Sequence, residues 1–269
     1  CEQLGFNWSE VGAEKVAVWT KAVLDQIGRM QTREAMLQNA AEMCDLQNFI
    51  IGYIEDREKN PREDMISDIV HARLDDDANP TLSRYEQIST VRGFLIAGND
   101  TTAAAIANVL LILATQPGLA NELYPQLDDD RVMNRFVEEV LRLQPPVHGL
   151  FRTAMKDVEL GGTLIPEGSQ LCVLYASAND DDAKFADPRK LDIQRPNVGA
   201  NITFGSGIHK CVGMSLARME IKLAAQEFIR RLDNIQLAVP SNELTYLPTL
   251  ASQTLERLPL TFSRRVPKA

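Results

Sequence analysis

Cysteine is scarce: positions 1, 44, 172 and 211 hold the four thiols of a 269-residue chain, with no CxxC pair and too little density for a disulfide framework. That argues against a zinc ribbon or a secreted disulfide scaffold, and a reducing compartment suits the thiols. A basic excess is also lacking. The formal net charge is −9, spread along the chain rather than held in one acidic tail, which argues against nucleic acid as a partner. No long apolar run occurs, since the strongest stretch, 103–114, is interrupted by Asn108 and is too short to cross a bilayer. No basic-then-apolar signal opens the chain, so no membrane partner is expected and a cytoplasmic location is the default. Internal repeats and low-complexity tracts are missing too. What remains is 45% hydrophobic content, enough to bury a large core in one or two domains.

Helical periodicity dominates to about residue 143, with helices expected near 10–28, 31–57, 61–74, 83–116, 118–124 and 131–143, and with Asn60-Pro61 and Asn79-Pro80 as breaks. After Pro145-Pro146 short β-rich runs take over. Strands are expected at 158–160, 163–165 and 170–175, turned by Gly161-Gly162 and Pro166-Glu167-Gly168, followed by a loop over 192–201. From Met214 the apolar positions Leu216, Met219, Ile221, Leu223, Phe228 and Leu232 recur at helical spacing, and an extended tail follows. The fold class is mainly α with small β-sheets, of the α+β type.

The run Phe204-Gly205-Ser206-Gly207-Ile208-His209-Lys210-Cys211-Val212-Gly213 places one thiol at or just before the amino terminus of that last long helix. The partial positive charge of a helix end favours a thiolate. Gly205, Gly207 and Gly213 let backbone approach the sulfur or a flat ligand. Most cysteines before a helix are small buried hydrophobes. Here the register Phe204-x-x-Gly207-x-His209-x-Cys211-x-Gly213 resembles the haem-binding signature of the cytochrome P450 family, the haem-thiolate monooxygenases. The resemblance implies haem b (iron protoporphyrin IX) as cofactor and Cys211 as its iron ligand. Phe204 would pack beside the sulfur, and His209 would donate to a propionate.

A second stretch, Phe94-Leu95-Ile96-Ala97-Gly98-Asn99-Asp100-Thr101-Thr102, is polar inside an otherwise apolar helical pattern, where Gly98 costs about 1 kcal/mol against alanine. Read locally, it is either a helix end at Gly98 with Asp100 capping the next helix, or a continuous helix bent by threonine. Ala97-Gly98-x-Asp100-Thr101-Thr102 is similar to the family's oxygen-activation motif. That implies a kinked distal helix with an oxygen groove at Ala97 and Gly98, Thr101 hydrogen-bonding dioxygen, and Asp100 linking it to solvent.

Glu139 and Arg142 lie on one face of an apolar helix, and buried charges require partners. They match the family's Glu-x-x-Arg element, which Arg195 completes; the implied role of the three is to fix the Cys211 loop. Arg152, locally an ordinary exposed arginine, falls where the family places a propionate-binding arginine, and its planar fork suits carboxylates. The same mapping lines an apolar substrate pocket with Leu95, Ile96, Ala97, Val147, His148, Gly149 and Leu150, together with residues 250–254. His71 is expected at the surface.

Against the family pattern the amino-terminal third is missing, which implies either part of a longer chain or a truncated gene product, and 176–182 lacks the usual Arg and Pro. The expected organisation is a single haem-thiolate domain over 1–269: lid and surface helices in 1–82, a distal helix at 83–116, the Glu-x-x-Arg helix at 131–143, the haem-ligand loop at 204–213 and a proximal helix at 214–232. The implied function is a monomeric monooxygenase that inserts one atom of dioxygen into a small hydrophobic substrate. With no GxGxxG fingerprint in the chain, a separate ferredoxin or flavodoxin would deliver electrons near Lys210, Arg218 and Lys222. Competing readings are a non-catalytic haem-binding or hydrophobic-ligand-binding remnant, and a haem-thiolate peroxygenase or dehydratase; Asp100 and Thr101 argue against the last.

Overall fold

A computed structural model describes residues 3–28, 31–75, 78, 80–247, 249 and 251–266; Cys1 and Asn79 lie outside them. The chain divides into two compact units, Cys1–Asp100 and Thr101–Ala269.

The first unit carries α1 (Trp8–Gly28), interrupted at Gly12 where φ is 73°, α2 (Arg33–Lys59), α3 (Met65–His71) and the first half of α4 (Arg84–Thr115). Helix starts follow capping chemistry. Thr32 accepts from the Ala35 amide, and Ser83 and Glu86 form a reciprocal box in which the Glu86 carboxylate accepts from the Ser83 amide at 2.8 Å. The α3 helix is shorter than the 61–74 expected because the Asp64 carboxylate accepts from the Ser67 amide at 2.8 Å and so sets the start at Met65. The core gathers Val16, Trp19, Leu46, Ile50, Ile54, Ile66, Val91, Leu95 and Ile96. Beside it the buried Arg57 donates to Asp64 at 2.7 Å and to the Gly5 carbonyl at 2.8 Å. Gly5 is required there: φ is +101°, and a Cβ would stand 2.3 Å from the Asp64 carboxylate.

The second unit packs the rest of α4, α5 (Leu119–Leu123), α6 (Asp130–Leu143) and α8 (Met214–Arg231) around Val109, Leu123, Phe136, Val140, Ile221, Ala225 and Ile229. Three two-stranded antiparallel sheets complete it: β1 (Gly149–Thr153) with β4 (Gln170–Leu174), β2 (Val158–Leu160) with β3 (Thr163–Ile165), and β5 (Leu232–Leu237) with β6 (Leu260–Arg264). A short helix, α7 (Tyr175–Asn179), follows β4.

The apolar stretch 103–114 proves to be part of a longer element. Among the described residues α4 is the one helix long and apolar enough to cross a membrane by length and composition, at a mean hydropathy of 1.4 over an 18-residue window. Its apolar side chains are core: Ile88, Val91, Leu95 and Ile96 in the first unit, and Ala105, Val109, Ile112 and Leu113 in the second.

Candidate functional site

Within the second unit, the loop before α8 is shaped by two residues in the left-handed region, Gly205 (φ +69°) and Gly207 (φ +73°), which only glycine adopts without strain. They turn the chain so that the Cys211 amide donates to the Phe204 carbonyl at 2.9 Å. The Cys211 thiol is exposed one turn before α8, whose N-cap, Gly213, offers no side-chain acceptor. Ile208 and Val212 flank it at 96% and 81% exposure, an unfavourable setting for two aliphatic side chains in water.

The buried charges of this unit's Glu139 cluster are paired. Glu139 is fully buried and takes Arg142 on both carboxylate oxygens, at 2.8 and 2.9 Å, and Arg195 at 3.1 Å. The Asp192 amide also donates to Glu139. Arg195 spends its remaining donors on the carbonyls of Ala186, Asp187 and Lys190. Arg142 lies against the ring of Phe185, 5.2 Å from its centroid. Two arginines on one carboxylate leave no buried charge without a hydrogen-bonding partner, which is the condition under which such a cluster is tolerated.

Arg152, on β1, is exposed; one nitrogen donates to the Phe151 carbonyl, and among the described residues no carboxylate pairs with it. His209 is exposed in a short 3-10 turn, Gly207–His209. Val147, His148 and Leu150 are half-buried and Gly149 is buried. They lie beside the chain segment expected to share their pocket: Val147 bridges to Ser252, the His148 amide donates to the Ala251 carbonyl at 2.7 Å, and the His148 ring meets Gln253 Oε1 at 2.9 Å. Leu250 lies outside the described residues.

In the first unit, α4 runs unbroken through Ala97, Gly98, Asn99 and Asp100 and on to Thr101 and Thr102, so no helix ends at Gly98. Leu95 and Ile96, expected to line the pocket, are buried in the core of the first unit, while Ala97 and Gly98 are exposed. Asp100 is half-buried. Burial raises its carboxyl above the usual value, and a hydrogen bond from Asn99 at 3.3 Å opposes this only in part.

Two of the three cations expected to form a docking face are neutralised. Arg218 pairs with Glu138 and sits over the Phe204 ring, 4.6 Å from its centroid; Lys222 pairs with Asp130 at 2.7 Å. Both partners are more than 75 residues distant in sequence, which is why local spacing does not reveal them. An open cleft of about 1110 Å³, lined by Cys172, Leu174, Asp180, Asp182 and Arg189 among others, contains none of the expected site residues.

Do these residues fit a haem? Among the described residues no three His, Cys, Asp or Glu side chains gather to hold a bare ion, so a metal at Cys211 would take that thiol as its one protein ligand. That suits an iron whose remaining in-plane ligands come with a porphyrin. An exposed thiol at a helix start, exposed aliphatics beside it and an arginine without a carboxylate complement an apolar macrocycle with carboxylate arms. The fit is good.

The model of the cytochrome P450 family matches residues 29–243. The chain belongs to the cytochrome P450 family. It is 31% identical over 254 residues to the biotin biosynthesis cytochrome P450 of Bacillus subtilis (strain 168), covering 94% of this chain and 62% of that protein. To the cytochrome P450 monooxygenase PikC of Streptomyces venezuelae it is 30% identical over 248 residues, covering 92% of this chain and 56% of the relative. Among solved structures, P450BioI in complex with a hexadec-9Z-enoic acid ligated acyl carrier protein superposes with a TM-score of 0.87 at 29% identity, covering 97% of this chain and 64% of that one. The chain thus has the helix-rich P450 fold with small sheets and spans about 60% of the length of these relatives.

Proposed function

We propose that this protein acts within a cytoplasmic haem-thiolate monooxygenase that places one atom of dioxygen on a small hydrophobic substrate. The observation that carries the proposal is the exposed Cys211 thiol, presented before α8 on a glycine-turned loop in the unit that also holds the buried Glu139, Arg142 and Arg195 cluster.

Cys211 would ligate the iron, Phe204 would pack beside the sulfur, and Arg152 and His209 would hold the propionates; Gly205, Gly207 and Gly213 would let the loop approach the ring. When bound, haem b supplies dioxygen activation, and thiolate ligation favours O–O cleavage. The chain's own part is positioning and proton supply. Burial keeps the Asp100 carboxyl easier to protonate than an exposed aspartate, which suits a group that passes protons inward from solvent. The Thr101 hydroxyl would hold the proton at its Oγ1. Val147, His148, Gly149 and Leu150, with the facing 251–254 segment, would form an apolar wall for the substrate. Electrons would come from a ferredoxin or flavodoxin, with Lys210 the exposed cation nearest the ligand in sequence.

The test is the carbon monoxide difference spectrum of the reduced, haem-supplied protein. Cys44→Ser and Cys172→Ser should keep the thiolate-type absorption, and Cys211→Ser should lose it. A Cys211→Ser protein with an unchanged spectrum ends the proposal. Haem bound through Cys211 without product formation from dioxygen favours the non-catalytic reading.

A further inference from the structure

We propose that Asn179 is the positioning residue that ties the buried charge cluster to the Cys211 loop. It stands at the end of α7 and is 1% exposed. All its polar groups except its own amide point to the two partners that matter. Its backbone carbonyl accepts from Arg142 Nη1 at 2.8 Å. Its side-chain Oδ1 accepts from the Ile202 amide at 2.9 Å, and its Nδ2 donates to Thr203 Oγ1 at 2.9 Å. Thr203 Oγ1 in turn donates to the Leu141 carbonyl at 2.9 Å, one residue before Arg142.

The path is therefore continuous: Glu139 to Arg142, Arg142 to Asn179, Asn179 to Ile202 and Thr203. The next residue, Phe204, receives the Cys211 amide on its carbonyl. Glu139 and Arg142 do not themselves bond any residue of 202–213; on this side Asn179 makes the connection. An asparagine suits the place because it offers one acceptor and one donor on a short, neutral side chain. Aspartate would bring a second buried negative charge and lose the donor. Alanine would leave the Ile202 amide without its acceptor.

The inference that Asn179 sets the thiol rests on the site proposed above, yet its test does not need haem. In the haem-free protein, the rate of deuterium labelling at the Cys211 amide, which donates to the Phe204 carbonyl at 2.9 Å, reports how firmly the loop is held. Asn179→Ala should label about tenfold faster, the effect of one or two buried hydrogen bonds on a local opening. Thr203→Val should do the same and Thr203→Ser should restore the parent rate. The control is Asn108→Ala, which removes another buried asparagine of this unit, donating to the Gln144 carbonyl at 2.9 Å; it should lower the melting temperature without speeding the labelling. Parent-like labelling in both Asn179→Ala and Thr203→Val overturns the inference, as does equal acceleration in Asn108→Ala. If Asn179→Ala does not fold, the Thr203 pair decides. The haem assignment fails separately, through the Cys211→Ser spectrum.

Discussion

Glu139 and Arg195, 56 positions apart in the chain, meet at 3.1 Å with both side chains buried, and the same carboxylate holds Arg142 on both oxygens. The relationship makes one acid responsible for two guanidinium groups. Removing it strands both.

Glu139→Ala should therefore cost about 3–5 kcal/mol of stability, because it leaves two buried guanidinium groups without their carboxylate, and Arg142→Ala should cost less, because Glu139 keeps Arg195. The double variant should cost clearly less than the sum. By contrast Arg189→Ala, which breaks an exposed pair with Asp180, should cost less than about 1 kcal/mol. Denaturant midpoints at equal slope check all four. A Glu139→Ala protein as stable as Arg189→Ala would show that the cluster carries no net interaction.

In the first unit, Asp64 combines two duties, capping α3 through the Ser67 amide and pairing with buried Arg57. Burial pushes its carboxyl up, but the Ser67 amide and the Arg57 guanidinium outweigh this and hold it below the usual value. A folded value depressed below the unfolded one means that Asp64 stabilises above about pH 4 and loses this contribution as the pH falls through the folded value. Asp64→Ala should cost about 3 kcal/mol at pH 7, with Asp56 retaining part of the pairing to Arg57. The gap to the parent should close in acid. Urea melts at pH 7 and at pH 2 measure it, and a gap independent of pH would contradict the ion pair.

The contrast between these two clusters separates what residue spacing reveals from what it hides. Glu139, Arg142 and Arg195 are legible in the sequence because an apolar helix face carries charges at i, i+3 and the family pattern supplies the distant third. Asp64, Arg57 and Asn179 are not, because their partners are set by tertiary approach rather than spacing. Strands β2 and β3 follow from glycine turns and alternation. Strand β1 and helix α7 do not: β1 is defined by its pairing with β4, and α7 is only five residues long and opens on Tyr175, which the sequence places at the end of the strand over 170–175. Strands β5 and β6 pair across a long excursion that no local pattern records, so β6 reads as a bare tail. The continuity of α4 through Gly98 likewise comes from burial on both sides of the polar patch, which overrides propensity.

Asp100 gives a pH effect of opposite sign. Its folded carboxyl is raised by burial, so the folded state holds the proton more tightly and the ionised form destabilises as the pH rises past its usual value. Asp100→Asn should therefore melt at a higher temperature than the parent at pH 7 and match it near pH 3. Thermal scans across that range decide; a less stable Asp100→Asn protein at pH 7 would mean that the ionised carboxylate is satisfied where it stands.

Function should separate Asp100 from its neighbour. Thr101→Ala removes the hydroxyl that would present a proton, and it should leave substrate binding nearly unchanged while diverting most reducing equivalents into hydrogen peroxide. The reason is positional: losing a placed proton donor commonly costs about 10²–10⁴-fold in the productive step, so electrons delivered to dioxygen would be lost as hydrogen peroxide instead of product. Asp100→Asn should instead slow turnover with less peroxide, because supply from solvent is impaired while the hydroxyl remains. Product formed per electron consumed, measured alongside peroxide in the haem-supplied protein with its electron donor, distinguishes the two. A Thr101→Ala protein as tightly coupled as its parent would leave Thr101 as a helix residue only and move the search for the proton donor to Thr102.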